Sequence, residues 1–511
     1  MQPASSNRRL AKNTLAMYIR MLFLMFIGFY TSRVVLKALG ADDFGVYNLV
    51  GGVVVLFTFI NSAMTTATQR HLSYESGAVE GDVSKVFSAC LNIHLILAAI
   101  TLVLSETIGL WFVNTQLHFP EGRMWAVNWV YQFTIVACIF SIVRVPYNAL
   151  IIANERMTFY AYAGIIEGIL KLAIVFLLAV SPLDKLVFYA LLVTVVVGVV
   201  TAIFYLYCKL KLEGGTYVNV RDKALYNKLL GFSGWTLFGS FASLARSQGL
   251  SFLINIFYGV VLNAALGLAN QVNSALSQFV YGFQQAFSPQ LTKLEASGDK
   301  AQQQTLIDRT SKFSFFILLV LSIPVLYNLH YLLGVWLGDY PEYTYEFCYW
   351  IVIATLIDSL SGPLWVSIFA TGQIRSYQIA ISILLLLNLP LAYLCGKMGW
   401  KPQYMFVCQA LINLLAVAVR LFYLKRSTSF SIQQFAKDVL LPIFLVSLLL
   451  APLVYTFYKY VSTATGLLQF LCQSAIIVVC ELGIVWLLGL SREERRGVVS
   501  VCHSRGTYTG R

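Results

Sequence analysis

Apolar stretches long enough to cross a bilayer recur from one end of this chain to the other, with only short polar loops between them. A bilayer core of about 30 Å is matched by about 20 apolar residues of helix, and a lipid-exposed loop cannot satisfy its backbone there. Blocks of that size fall at about 13–37, 44–68, 86–112, 124–148, 158–181, 186–208, 230–258, 261–288, 313–336, 346–370, 377–396, 402–424, 438–458 and 464–490. The pattern predicts an all-α integral membrane protein of about fourteen transmembrane helices. Only 12% of residues are charged and 58% are apolar, against about a quarter and a half in soluble proteins. Nine scattered cysteines include no CxxC pair or Cys/His cluster, which argues against a zinc site or a disulfide framework. Arg8, Arg9 and Lys12 precede the first block as in a signal peptide, but that block runs on without an evident cleavage site, so it is read as a retained first helix.

Loop charges test the count. The net charge of +13 is of the kind that draws a chain to nucleic acid, yet the basic residues sit between apolar blocks, which fits membrane orientation and no nucleic-acid partner. With the N-terminus inside, the inner segments hold 24 Lys and Arg and the outer segments six. Cytoplasmic loops carry such an excess. Both termini are therefore expected in the cytoplasm, which requires an even number of spans.

Residues 40–73 align on 259–292 without gaps at an offset of 219, and each copy is a helix pair joined by a tiny outer turn and followed by a basic inner loop. Six spans separate the copies, so both enter the membrane in the same direction. Two parallel six-helix lobes are one of the known transporter plans. The expected organisation is an N-terminal lobe at 1–210, a cytoplasmic linker at 211–229, a C-terminal lobe at 230–425, an added helix pair at 426–490 and a cytoplasmic tail at 491–511.

An ionisable residue at the bilayer centre costs about 2.5–3.5 kcal/mol on insertion scales, so it needs a partner or a wet cavity. Arg20, Glu167, Lys171, Arg246 and Asp358 are the candidates, with Arg144 and Glu481 nearer an edge. Arg246 corresponds to Ile27 under the repeat offset, seven residues beyond Arg20. Seven residues are almost two turns, so the two arginines share a helix face about 10 Å apart in depth. Guanidinium groups lining an inter-lobe cavity suit a phosphate or pyrophosphate; the alternative is local satisfaction, with Arg20 snorkelling inward. Glu167 and Lys171, four residues apart, form either a self-neutralising pair or a lumen-facing pair that opens for substrate or a proton. Asp358 has no partner on its own helix and either carries a proton or cation or pairs with Arg246. Asn270, Ser274, Gln278, Tyr281 and Gln285 form an uncharged polar stripe at helical spacing, and Asn61, Thr65 and Gln69 a shorter one. Such groups serve either as glue between helices or as a wet face that bonds sugar hydroxyls. Pro324, Pro363, Pro390 and Pro442 are expected to kink their helices.

Residues 39–47 (LGADDFGVY) resemble the outer turn between the first two spans of Wzx-type O-antigen and capsule flippases, polysaccharide transporters of the multidrug/oligosaccharidyl-lipid/polysaccharide (MOP) exporter superfamily. Residues 145–157 (VPYNALIIANERM) are similar to the loop after that family's fourth span. The resemblance runs over nearly the whole chain and implies a two-lobed, non-enzymatic flippase. Such a protein moves an undecaprenyl-pyrophosphate-linked oligosaccharide across the bacterial inner membrane by alternating access, for lipopolysaccharide or capsule synthesis. It further implies a cationic cavity, a role that Arg20 and Arg246 fit, and no bound cofactor; from the embedded charges and polar stripes themselves, Lys171 is added to that cavity and Asn61, Asn270, Gln278 and Gln285 are expected to contact sugars. Proton or Na+ coupling through Asp358 or Glu167, membrane lipids as surroundings, and a polysaccharide polymerase and chain-length regulator as partners complete the expectation.

A lipid II flippase would carry the same pyrophosphate, and a drug or cation antiporter of the superfamily would want buried carboxylates in place of arginines. A membrane polymerase or glycosyltransferase needs a sizeable extramembrane loop. The longest outer loop, at about 113–123, is short, and neither a P-loop nor a spaced carboxylate pair is present.

Overall fold

The computed structural model describes residues 4–496 apart from 59–60, 62–63, 66–67, 70, 73–74, 76–81, 155, 213, 232–233, 372–373 and 462–463. Among the described residues there is helix and no strand. The helices are α1 (Ala4–Leu56), α2 (Val83–Thr115), α3 (Met124–Ala153), α4 (Met157–Val180), α5 (Lys185–Lys211), α6 (Lys223–Gly231), α7 (Gly234–Tyr258) and α8 (Val261–Ser297). They continue with α9 (Lys300–Tyr327), α10 (Leu329–Leu337), α11 (Thr344–Ser359), α12 (Ser361–Ala370), α13 (Arg375–Lys397), α14 (Tyr404–Ser427), α15 (Ile432–Tyr460) and α16 (Leu467–Gly489).

Ten of these are long and apolar enough to cross a membrane, and the bent pair α11–α12 makes an eleventh. α1 is two helices joined at Gly40, whose φ of 80° breaks the helical path. α7 and α8 are long enough but too polar to be recognised by hydropathy. By length and composition the described residues thus hold ten or eleven such helices, roughly consistent with the expected count of about fourteen. Large apolar side chains remain exposed along the outer helices, Phe444, Leu468 and Val479 among them. On a soluble protein that much apolar surface would aggregate; here it is the lipid-facing side of a multi-pass membrane protein.

Packing groups the chain into two compact units. The first contains residues 4–268, 339–344 and 385–405, and the second 269–338, 345–384 and 406–496. These borders come from packing, whereas the six-six-two division comes from the internal duplication.

In the first unit the duplication has a structural counterpart. Gly40 and Gly259, equivalent under the 219-residue offset, both adopt a left-handed φ, 80° and 86°. Glycine takes this conformation without steric cost, so each copy uses the same device to turn one helix into the next. The copies also touch. A methyl group on Gly45 would fall 2.2 Å from the Val260 carbonyl oxygen, and one on Gly267 would meet the Asn48 amide at 3.0 Å. Positions 48 and 267 are themselves equivalent, so the duplicated helices approach each other at matching points. Asp43, in the same outer turn, receives a hydrogen bond from Arg123, which also donates to Asp184 at 2.6 Å. Asp184 in turn caps α5 through Leu186 and Val187. Burial, the largest single influence, would raise the Asp184 carboxyl; the hydrogen bond and charge of Arg123 and the backbone N–H groups of Val187 and Leu186 together outweigh it and hold the group below its usual range.

Two local expectations are corrected. Residues 145–153 do not form a loop after the fourth span but the last turns of α3, with Pro146 inside the helix. The segment 211–229, expected as a linker, carries its own structure. It contains the start of α6 and docks on α2, where Lys85 meets Asp222 at 2.9 Å and Asn92 bonds the Tyr226 hydroxyl. The lysine holds the exposed Asp222 carboxyl below its usual range. The tenth span is interrupted rather than continuous, with α11 and α12 meeting at 41°. Pro363 stands in the first turn of α12, after the break, where proline's missing N–H costs little, and Pro442 lies inside α15, directly after a π-helical turn at Ala436–Leu440. Pro324 stands inside α9, three residues before its end. Of the basic residues counted above, Arg70, Arg505 and Arg511 lie outside the described residues.

Candidate functional site

Each unit holds a cluster of charge within its spans. In the first, the predicted pair of Glu167 and Lys171 on α4 is formed, at 2.8 Å. It is not self-contained. Arg144, on α3, reaches the other Glu167 oxygen at 3.5 Å, and its guanidinium lies 5.7 Å from the Phe204 ring of α5. Two cations therefore share one carboxylate, leaving a surplus of positive charge. The lysine side chain is the open member at 44% exposure, against 24% for Arg144 and 22% for Glu167. Gly168 allows α1 to approach beside this cluster, because a methyl group there would fall 2.9 Å from Leu24 and 3.1 Å from Ile27. The backbone of Arg20 lies one turn before Leu24 on that helix, and its side chain is outside the described residues. Arg246 is half-buried on α7, two residues before Gln248, whose amide lies against Gly52. Asn61 is partly buried, with its carbonyl oxygen unbonded among the described residues.

The second unit builds its cluster around the break in the tenth span. Asp358 stands at the end of α11, and Ser361 begins α12. The partner of Asp358 is Arg420 of α14, at 3.2 Å, rather than any group on its own helix. Arg420 is only 8% exposed and also donates to the Tyr377 hydroxyl at 3.3 Å and to Ser361. A planar guanidinium engages three acceptors in different directions, which an ammonium point charge does not reproduce. The break also frees the Ser359 carbonyl. Gln284 of α8 donates to it at 3.0 Å and to Ser314 at 3.1 Å, as irregular backbone inside a membrane requires. Gly362 makes room, since any side chain there would collide with the Gln284 amide.

These groups line a cavity of about 260 Å³ that includes Tyr281, Thr355, Asp358, Trp365 and Arg420. The Asp358 side chain is 42% exposed into this opening while Arg420 stays behind it at 10%. Of the predicted polar stripe, Asn270, Ser274 and Tyr281 are exposed and Gln278 is partly buried. The Gln285 side chain lies outside the described residues, and its neighbour Gln284 is the amide that turns into the site.

One group escaped the sequence reading, and another was recognised as embedded but set too near an edge. Arg420 lies one turn before Lys425 and Arg426, so it was absorbed into the basic end of its helix; only the fold brings it to Asp358. Glu481 was placed near a span edge, yet it is completely buried in α16 and its two oxygens have no hydrogen-bond partner among the described residues. An embedded Glu in a helix predicted to cross the membrane was the available signal.

Helices long and apolar enough to cross a membrane, with paired charges held inside them, define a multi-pass membrane protein. No protein-family model matches the chain, and no curated protein matches it either. Among solved structures it is similar to "Lipid II flippase MurJ, inward closed conformation", with a TM-score of 0.66 and 16% identity over 93% of this chain and 99% of that one. It is also similar to an inward-facing multidrug resistance MATE family transporter of the MOP superfamily, at a TM-score of 0.63 and 14% identity over 81% of this chain and 98% of that one. An outward-facing structure of a MATE family transporter gives 0.54 and 13% identity, over 81% and 95%. The chain thus shares the fold of these MurJ and MATE structures.

Proposed function

We propose that this protein is a flippase for a lipid-linked, pyrophosphate-bearing oligosaccharide, of the undecaprenyl type used to build bacterial surface polysaccharide. The observation that carries the reading is the surplus of cation within the spans of a MurJ-like fold. Arg144 and Lys171 share the single carboxylate of Glu167, and Arg420 is held nearly dry behind Asp358. A cationic drug would be repelled by the first cluster, whereas a pyrophosphate would be attracted to it. Arg20, Arg246 and Lys171 are assigned to the pyrophosphate, and Asn61, Asn270, Gln278 and Gln285 to sugar hydroxyls. Alternating access needs groups that change partners, and Glu167 and Asp358, each in a breakable ion pair, are assigned that role, with a proton or Na+ as driving ion. In this reading the protein lies in the cytoplasmic membrane with both termini inside and hands its product to a polymerase and chain-length regulator.

The second reading is a lipid II flippase, favoured by the MurJ likeness and by the shared pyrophosphate. Deleting the gene and locating lipid-linked glycans separates the two. Intact surface-polysaccharide repeat units stranded on the cytoplasmic face are expected. Stranded lipid II would support the second reading, and flipped but unpolymerised units would defeat both in favour of an enzyme. Arg246→Ala is expected to abolish complementation while inserting normally; normal surface glycan in that variant removes Arg246 from the site.

A further inference from the structure

A second cavity, of about 480 Å³, lies in the second unit where α9, α15 and the end of α16 converge. It is larger than the Asp358 cavity and falls within the range of about 300–1,000 Å³ typical of small-molecule sites. Its lining carries four basic and four acidic side chains, besides the apolar Pro442, Leu488 and Leu490. The walls are fixed by their own bonds. Lys312 pairs with Glu494 at 2.8 Å, with side chains only 5% and 6% exposed, and Glu494 also accepts from the Ser491 backbone at 2.8 Å. Asp308 is 5% exposed and accepts from Gln304 at 3.0 Å and Gln434 at 3.3 Å. Arg309 and Glu493 make a loose pair of 3.6 Å at the rim.

Four charged groups line the cavity with no ion pair among the described residues: Lys437, Arg492 and Asp438, which are exposed, and Asp308, which is buried and already held by the Gln304 and Gln434 amides. Two wide π-turns, Ala436–Leu440 and Val485–Gly489, border the same cavity. Such turns are rare within α-helices and concentrate at functional sites. The first carries Lys437 and Asp438 side by side. The exposed, unpaired charges of the pocket are thus two cations and one anion, with Pro442, Leu488 and Leu490 as its apolar lining.

We propose that this cavity binds the headgroup of an amine-bearing glycerophospholipid, with the phosphate held by Lys437 and Arg492 and the ammonium by Asp438. A ligand with phosphate alone leaves Asp438 facing like charge, and an amine alone leaves two cations unanswered. A headgroup carrying both answers all three, while Leu488, Leu490 and Pro442 meet the glycerol end. The site stands apart from the transport reading, since it shares no residue with the Asp358 or Glu167 clusters.

The test is native mass spectrometry of the purified full chain in detergent with phosphatidylethanolamine, phosphatidylglycerol and phosphatidic acid. The wild type should retain phosphatidylethanolamine over both others. Lys437→Gln with Arg492→Gln should weaken it by about tenfold or more, equivalent to about 1.4 kcal/mol. Asp438→Asn should lower phosphatidylethanolamine retention while leaving phosphatidic acid unchanged or stronger. All three positions are at the lining rather than in the buried Lys312–Glu494 pair, and an unchanged thermal midpoint confirms that each variant is folded. Equal retention of phosphatidylglycerol by the wild type, or unchanged phosphatidylethanolamine retention in the double variant, overturns the proposal.

Discussion

The charge cluster of the first unit and that of the second solve the same problem differently. Both keep ionised side chains in spans where an isolated charge is expensive. Around Glu167 the solution is sharing, with two cations on one carboxylate and the most exposed member, Lys171, at the opening. Around Arg420 it is anchoring, with one buried guanidinium fixed by Asp358, Tyr377 and Ser361 at a helix break. A shared cluster tolerates the loss of one cation better than an anchored one, because Glu167 keeps the other cation as its partner.

Four variants sharpen that contrast. Arg420→Ala should have the largest effect, because it strips Asp358, Tyr377 and Ser361 together; breaking a buried pair costs about 3–5 kcal/mol. Thermal unfolding in detergent reads this directly, and Arg420→Lys should recover only part of it. Stability equal to wild type in the alanine variant would show that the guanidinium is not an anchor. Gly362→Ala should cost about 1–3 kcal/mol through its collision with Gln284, and Gln284→Ala in the same chain should recover part of that loss. Arg123→Gln should cost about 1 kcal/mol, typical of partly exposed pairs. Its acid dependence is specific. Asp184 is held below its usual value of 3.8, so its contribution is fully present above that value and disappears as pH falls through the lowered one. Wild-type stability should therefore lose this increment only below about pH 4, and the variant should lack that part of the acid limb. Lys171→Met should leave stability within about 0.5 kcal/mol of wild type while reducing translocation of lipid-linked glycan in vesicles. A large stability loss there would mean that the first cluster is anchored after all.

The helical frame was legible because hydropathy and loop charge are properties of the chain itself. The spans that hydropathy describes worst are α7 and α8, which contain Arg246 and the stripe from Asn270 to Tyr281. Polarity makes them poor lipid-facing helices and good carriers of a wet face, so the exceptions pointed toward function. The repeat was visible in outline, and Gly40 and Gly259 give it a backbone basis. The pairing of charges was not legible. Asp358 and Arg420 are 62 residues apart and meet only because two separate helices pack side by side, while Arg144 is separated from Glu167 by a turn between spans. The break at Leu360 was equally hidden, because Ser361, Gly362 and Pro363 read as a kink within one span rather than as two helices meeting at 41°.

The first unit is completed by residues 385–405, far along the chain from its other parts. Leu389 packs against Gly249, Phe257 against Gly396, and the Tyr258 hydroxyl donates to the Trp400 carbonyl at 2.5 Å. During synthesis, α1 to α7 enter the membrane well before the segment that closes over them exists. Newly inserted helices must therefore wait, with the glycine seam at 249 unfilled, until the ribosome has passed residue 405. A ribosome stalled before that point leaves an open first unit, the natural substrate for an insertion chaperone or a membrane protease.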